Sequence, residues 1–320
     1  MNQVSVSQFQ KDLRFEGYLL VKMGEQRQGA NGSKYLDMTL CDKTGEMNAK
    51  MWDGTIPPPS AGSIIKVRCT VQEYNGRLQL RVERLRNVTD QDDVELQQLM
   101  PCAPEKPESM LSEIMQTVNA MKSNDLRTLV SALIEKCKDQ LMYYPAAQRL
   151  HHAQRSGLLF HTVSMLRSAK ALCTVYQMLD KDLLYAGVIV HDLCKISEMV
   201  SDTMGNVTDY SCEGLLLGHL VKGVANIYQT AQEVGVQGEY VLLLEHMVIS
   251  HHGIPEYGSP RPPMFPEAVA LHMIDDFDAK MNEMETILNR TPRGSFSEKI
   301  WSLDRRIYHP LYNSEEPNNA

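Results

Sequence analysis

The sequence has no CxxC pair, no apolar run long enough to cross a bilayer, and few aromatic residues (7%). Each shortage removes a class of protein. The seven cysteines are scattered and odd in number, so neither a disulfide framework nor a thiolate zinc site is expected; they read as reduced core or surface residues. The longest apolar stretch, Leu183 to Val190, falls far short of the roughly 20 residues of a membrane helix. The opening MNQVSVSQFQKD has no basic-then-apolar leader pattern. A soluble, cytoplasmic chain without a membrane partner is expected. At 43% hydrophobic over 320 residues, there is enough apolar material for one large or two modest domains.

Positive charge is also in deficit, with 32 Lys+Arg against 40 Asp+Glu, which taken alone argues against a nucleic-acid partner. The deficit is uneven. Residues 1–90 carry 13 Lys+Arg and 10 Asp+Glu, whereas residues 91–320 carry 19 and 30, so a mildly basic front is masked by an acidic remainder. Histidine is uneven too, nine of the ten lying between His151 and His272.

Five segments between residues 15 and 88 carry strand character: FEGYLLVKM, KYLDMTLCD, EMNAKMWD, SIIKVRCTVQEY and RLQLRVERLRNV. Turn signals separate them, among them Asp42 to Gly45, the run Pro57-Pro58-Pro59, and the hairpin pair Asn75-Gly76. This pattern predicts a small barrel over 1–90. The acidic, proline-bearing stretch over 91–108, with Pro101, Pro104 and Pro107, reads as an exposed linker with some helical turn in its middle. Helical spacing follows over 109–122, 124–142, 158–179, 181–193, 213–232, 237–251 and 264–289, with Ser109 and Asn124-Asp125 as N-cap candidates. An all-α domain is expected over 109–312 and a disordered tail over 313–320. The expected fold class is α+β in two domains.

The helical half places candidate ligands about one helix and one loop apart: His161, His191-Asp192, His219, His251-His252 and Asp275-Asp276. Imidazole with carboxylate and no thiolate suits Mn, Fe, Co, Ni or Zn. An Asp between imidazoles can bridge two ions, and such a pair acidifies water and clamps an in-line displacement at phosphorus. Adjacent helical residues point about 100° apart, so only one of His251/His252 and one of Asp275/Asp276 is expected to face the centre. His151-His152 either line a substrate channel or cap the next helix, and His246 and His272 read as core or supporting residues.

The stretch DLLYAGVIVHDLCKISEM resembles the signature of the HD superfamily of metal-dependent phosphohydrolases, and SGLLFHT, LLGHL, SHHG and LHMIDDFDAKM are similar to its remaining ligand segments, in order. Together with GYLLVK, YLDMTLCDKTGEMNAKMWD and the hairpin from Tyr74 to Leu80, nearly the whole chain resembles the YhaM type of 3′-5′ exoribonuclease, in which an OB fold precedes an HD domain. The resemblance implies a five-stranded OB-fold barrel followed by an all-α HD domain. It implies a first metal on His161, His191, Asp192 and Asp275, a second bridged by Asp192 and held by His219 and His251, and Lys195 beside the scissile phosphate. Cys194 departs from the glycine often found before that lysine. The implied activity is release of 5′-mononucleotides from single-stranded RNA, with single-stranded DNA as a second candidate substrate. Mn²⁺ is the first metal to test, with Fe, Co, Ni, Zn or Mg as the others. Tyr18, Tyr35, Trp52, Tyr74 and Arg77 of the barrel, with Tyr257 and Arg261 of the Pro-rich loop after His252, supply aromatic faces and cations for a strand. An HD nucleotidase or cyclic-nucleotide phosphodiesterase, and a non-catalytic RNA-binding protein, are the alternatives. Association into a homo-oligomer is compatible with the large helical surface.

Overall fold

Alternating burial organises the front of the chain. Leu36, Met38 and Leu40 face inward from β2 (Lys34–Asp42), as do Ile65, Val67, Cys69 and Val71 from β4 (Ile64–Tyr74), each separated by a more exposed residue or by a bulge. With β1 (Arg14–Gln28), β3 (Gly45–Met51) and β5 (Arg77–Asn87), these close into a barrel in the order β1-β2-β3-β5-β4, where only the β3–β5 pairing is parallel. Closure leaves no free edge to template aggregation. Val6 and Phe9 belong to the barrel core, Phe9 packing 4.9 Å from Phe15.

The structure, a computed structural model, describes residues 3–29, 32–89, 91–148 and 152–312; the tail expected over 313–320 and His151 lie outside them. It divides into two units, Met1–Pro104 and Glu105–Ala320. The expected linker over 91–108 is thereby split. Its first part is folded onto the barrel: α1 (Leu96–Leu99) touches β1 and β2, Leu99 and Met100 are buried, and the Asp92 carboxylate accepts from Tyr18 Oη at 3.0 Å and from both Arg86 Nη groups at 2.7 Å. Asp92, one of the acids that make this stretch look solvated, is partnered by a barrel cation.

The second unit holds α2 (Pro107–Asn119), α3 (Asn124–Glu135), α4 (Lys138–Leu141), α5 (Gly157–Val175), α6 (Lys181–Val190), α7 (Lys195–Glu198), α8 (Cys212–Val234), α9 (Glu239–Ser250) and α10 (Pro266–Leu288). A short hairpin of β6 (Met199–Ser201) and β7 (Val207–Tyr210) interrupts the expected all-α pattern. The caps differ from expectation by a residue or two. Ser123, not Asn124, accepts the Leu126 N–H, and α2 begins at Pro107 rather than being capped by Ser109. The helix expected over 124–142 breaks into α3 and α4.

Helix α6 is the hub, because seven of its ten residues are buried and it contacts α2, α3, α5, α9 and α10. A helix apolar all round belongs in the interior, and its C-terminal end carries His191 and Asp192 into the middle of the unit. Leu184 is fully buried there. Leu184→Ala is expected to cost about 2–5 kcal/mol of stability, read from the urea unfolding of the full chain by circular dichroism.

Candidate metal centre and nucleic-acid face

Five elements deliver side chains to one buried point. His161 comes from α5, His191 and Asp192 from the end of α6, His219 from α8, His251 from the turn after α9, and Asp275 from α10. Asp192 sits between them, and its two carboxylate oxygens face different neighbours. Oδ2 lies 3.2 Å from His191 Nε2, 3.8 Å from His161 Nε2 and 2.7 Å from Lys195 Nζ. Oδ1 lies 3.5 Å from His219 Nε2 and 3.6 Å from His251 Nε2. His161 Nε2 is also 3.2 Å from Asp275 Oδ1.

The hydrogen bonds behind the rings fix their tautomers. His191 Nδ1 is 2.8 Å from Val188 O and His251 Nδ1 is 2.8 Å from Val248 O; a carbonyl only accepts, so both Nδ1 atoms carry the proton. His219 Nδ1 meets the Glu198 carboxylate at 3.0 Å and His161 Nδ1 meets Asp278 Oδ2 at 2.7 Å, with the same consequence. His191, His219 and His251 then each present an Nε2 lone pair to the centre, the orientation seen when an outer carboxylate or carbonyl sets a metal-binding imidazole. Burial opposes charge on His161, whereas its hydrogen bonds to Asp275 and Asp278 raise its pKa to about 9. Among the described residues, His191 Nε2, His219 Nε2, His251 Nε2 and Asp192 Oδ1 are buried without a hydrogen-bond partner. Orphaned acceptors of this kind are costly, and a divalent cation is what their chemistry fits. His161–His191–Asp192, His191–His251–Asp275 and His219–His251–His252 each bring donor atoms within 4.8 Å of one another.

The electrostatics agree with a cation site. Burial opposes ionisation of Asp192, yet His191 and Lys195 outweigh it and hold its carboxyl well below the usual range. Asp275 is likewise held low against burial, chiefly by its hydrogen bond to His161. Burial drives His251 down to about 4, which keeps its ring neutral and able to donate a lone pair at neutral pH. Burial also opposes charge on Lys195, but Asp192 raises its pKa above the ordinary lysine value, so the ammonium persists.

Several expectations change at this level. Asp276 points to solvent and pairs with Lys280 at 2.6 Å, so Asp275 is the inward member of that pair. His251 and His252 do not diverge, because both lie in the turn beyond α9 rather than in the helix. The His252 ring is 4.3 Å from that of His251 and 5.2 Å from that of His219. His152 is neither a channel residue nor a helix cap; buried, its Nε2 lies 2.8 Å from Asp278 Oδ2. His272 donates from Nδ1 to His251 O at 2.8 Å, supporting the ligand turn, and His246 Nε2 accepts the Met264 N–H at 3.1 Å, outside the centre.

Two carboxylates that sequence reading missed stand behind the rings. Asp278 gathers His152, His161 and Ser164, and its spacing of three from Asp275 places both on one face of α10. Glu198 lies three residues after Lys195. Helix α8 is broken at Gly218 (φ 68°, ψ 168°), a left-handed backbone that suits glycine, and the His219 N–H so released donates to Glu198 Oε1 at 3.1 Å. Glu198 therefore holds His219 by both backbone and ring. Glu198→Gln is expected to weaken divalent-metal affinity about 10- to 100-fold, measured by titration calorimetry with Mn²⁺, with the circular dichroism spectrum unchanged.

On the barrel, Tyr35 and Trp52 lie 4.9 Å apart with the Lys50 ammonium 5.3 Å above the Tyr35 ring, and Trp52 is 62% exposed. Tyr74 and Arg77 flank the β4–β5 turn, exposed, on a groove of about 650 Å³ that also includes Asn48 and Gln79. Tyr18 is placed differently: half-buried, its hydroxyl bound to Asp92 and its ring under Lys66, it anchors the 91–104 segment. In the helical unit, Tyr257 and Arg261 are exposed on the loop after His252, and Tyr257 O lies 2.7 Å from His252 Nδ1.

Comparison with known proteins fits both units. Residues 21–88 match the tRNA anti-codon family of OB-fold nucleic acid binding domains. The 3′-5′ exoribonuclease YhaM of Halalkalibacterium halodurans is 41% identical over 306 residues, covering 94% of this chain and 94% of the relative. That of a Geobacillus species is 40% identical over 93% of this chain and 92% of its own length, and that of Bacillus subtilis is 39% identical over 92% and 94%. With such identity running across barrel and helical unit alike, the chain belongs to the YhaM 3′-5′ exoribonuclease family.

Proposed function

We propose that the chain is a metal-dependent 3′-5′ exoribonuclease that removes 5′-mononucleotides from single-stranded RNA, and that residues 105–312 form an HD-superfamily phosphohydrolase domain. The observation that carries this reading is the position of Asp192, whose two oxygens face separate sets of imidazoles. One divalent ion is assigned to His161, His191, Asp192 and Asp275, and a second to Asp192, His219 and His251, with His252 beside it. Mn²⁺ suits these nitrogen and oxygen donors. When bound, such ions acidify water and neutralise the charge that builds on phosphoryl oxygens.

The chain itself supplies position and fixed charge. In this reaction water attacks the phosphorus of the last phosphodiester, the bond to the upstream 3′-oxygen breaks, and that oxygen takes up a proton. Lys195 keeps a permanent ammonium 2.7 Å from Asp192, with its side chain 12% exposed, where developing phosphate charge is stabilised without reorganisation. Asp278 and Glu198 keep His161 and His219 aimed at the centre. On the barrel, the Tyr35–Trp52 pair offers faces for bases and Lys50, Arg77 and Arg81 offer cations for phosphates. A strand of DNA presents the same phosphates and bases and is the second substrate to test. Among the described residues no helix is long and apolar enough to cross a membrane, in line with a cytoplasmic setting; a homo-oligomer is part of the same proposal.

Asp192→Ala is expected to abolish digestion of an end-labelled oligonucleotide while strand binding persists, and Lys195→Ala to lower kcat about 100- to 1000-fold with metal content retained. A one-nucleotide ladder is the expected product; turnover of free nucleotides alone would refute the exonuclease reading. Trp52→Ala is expected to weaken strand binding by about 1–3 kcal/mol, measured by fluorescence anisotropy of a labelled oligonucleotide.

A further inference from the structure

The last described stretch of the helical unit is unlike the rest of it. Residues 289–312 carry five cations (Arg290, Arg293, Lys299, Arg305, Arg306) against Glu298 and Asp304, whereas residues 105–288 carry 14 Lys+Arg against 23 Asp+Glu. The stretch folds back on itself. Phe296 bridges Tyr308 and Ile300 bridges Arg305, Ser297 N–H donates to Ile307 O at 2.8 Å, and His309 N–H donates to Ser295 O at 2.9 Å. Leu303 is buried beneath the turn and the Ser302 hydroxyl donates to Glu283 of α10, so the tip is tied down.

At that tip Trp301 is 92% exposed, more than any other large apolar side chain among the described residues. Further down the same hairpin, Phe296 and Tyr308 pack 5.0 Å apart with the Arg306 guanidinium 5.6 Å over Phe296. Arg305 Nε donates to Leu303 O at 2.9 Å and Arg306 Nε to Ser297 O at 2.8 Å. These bonds orient both guanidinium groups, yet among the described residues neither has a carboxylate partner. An indole held in water beside oriented, unpaired cations is the combination that stacks on bases and pairs with phosphates. A protein partner would instead call for an apolar surround, and the exposed sequence neighbours of Trp301 are Lys299, Ser302, Asp304 and Arg305, with Leu303 buried and Ile300 half-buried.

The geometry points to this hairpin as a second single-strand site, in which Trp301 stacks on a base and Arg305 and Arg306 pair with phosphates of the RNA upstream of its hydrolysed end. The inference rests on the exonuclease reading for its ligand. Eight residues of α10 separate Asp275 from Glu283, about 12 Å along the helix axis, so a strand with its end at the centre reaches the hairpin within a few nucleotides.

The two tryptophans make the test direct, since Trp52→Phe leaves Trp301 as the only indole. The metal-loaded full chain with that change is titrated with a single-stranded RNA oligonucleotide protected from hydrolysis by phosphorothioate linkages at its 3′ end. Saturable quenching of Trp301 emission is expected. Trp301→Ala in the otherwise unchanged chain should weaken binding roughly 5- to 150-fold, and each of Arg305→Gln and Arg306→Gln should reduce the slope of log K against log salt by about 0.7. Emission that ignores RNA overturns the inference. So does emission that changes with protein concentration alongside a sedimentation shift lost in Trp301→Ala, which would make the hairpin an interface between copies. Ladder digestion by the unaltered protein is scored separately: digestion without quenching removes only the hairpin site, whereas quenching without digestion leaves that site standing and removes the nuclease reading.

Discussion

Three imidazoles, those of His191, His219 and His251, commit their Nδ1 protons to acceptors behind the rings and leave lone pairs beside one carboxylate, and no donor among the described residues answers their buried Nε2 atoms. Most buried polar groups in proteins find a partner. Here the acceptors come from the end of α6, from α8 and from the turn after α9, so the centre calls for positive charge. Lys195 supplies one unit of it to Asp192 Oδ2. Divalent ions, with their preference for imidazole and carboxylate ligands, fit the rest of that demand.

The packing follows from that demand. Helix α6 must be apolar on every side because its end has to reach the interior, and α5 and α10 pack on it so that His161 and Asp275 meet Asp192 there. Close approaches are built in where they matter. A Cβ at Gly157 would lie 1.9 Å from His152 O, so only glycine lets α5 start against the turn that brings His152 to Asp278. The break at Gly218 serves the same end, since an unbroken α8 would tie up the His219 N–H that Glu198 accepts. Strain and unsatisfied groups collect around the centre, where they have a chemical use.

Much of this was legible in the residues. Period-two alternation and Asn75-Gly76 mark the barrel strands and their hairpin, because a closed barrel has one wet and one dry face on every strand. The order of His161, His191-Asp192, His219, His251 and Asp275 marks the side chains that the structure brings to one buried point. The parts that stayed hidden depend on contacts between distant residues. Asp276 and Asp278 are equally plausible beside Asp275 until the helix phase is known, and His252 joins His251 only because α9 ends at Ser250. Segment 91–104 has a linker's composition, yet Asp92 is claimed by Tyr18 and Arg86 from strands far away in sequence. Glu198 carries no signal of its own beyond its spacing from Lys195.

Net charge proved the least informative number. A value of −8 describes a molecule whose acids and cations are sorted by task. Of the acids in the helical unit, Asp192 and Asp275 face the buried centre, where they attract cations rather than repel phosphate. Its cations are sparse along the helices and gather again at residues 289–312, while the barrel carries its own excess. Such sorting sets cations beside aromatic faces, Lys50 over Tyr35 in the barrel and Arg306 over Phe296 in the helical unit, and at physiological salt, with a screening length of about 8 Å, each basic surface acts locally rather than through the field of the whole protein.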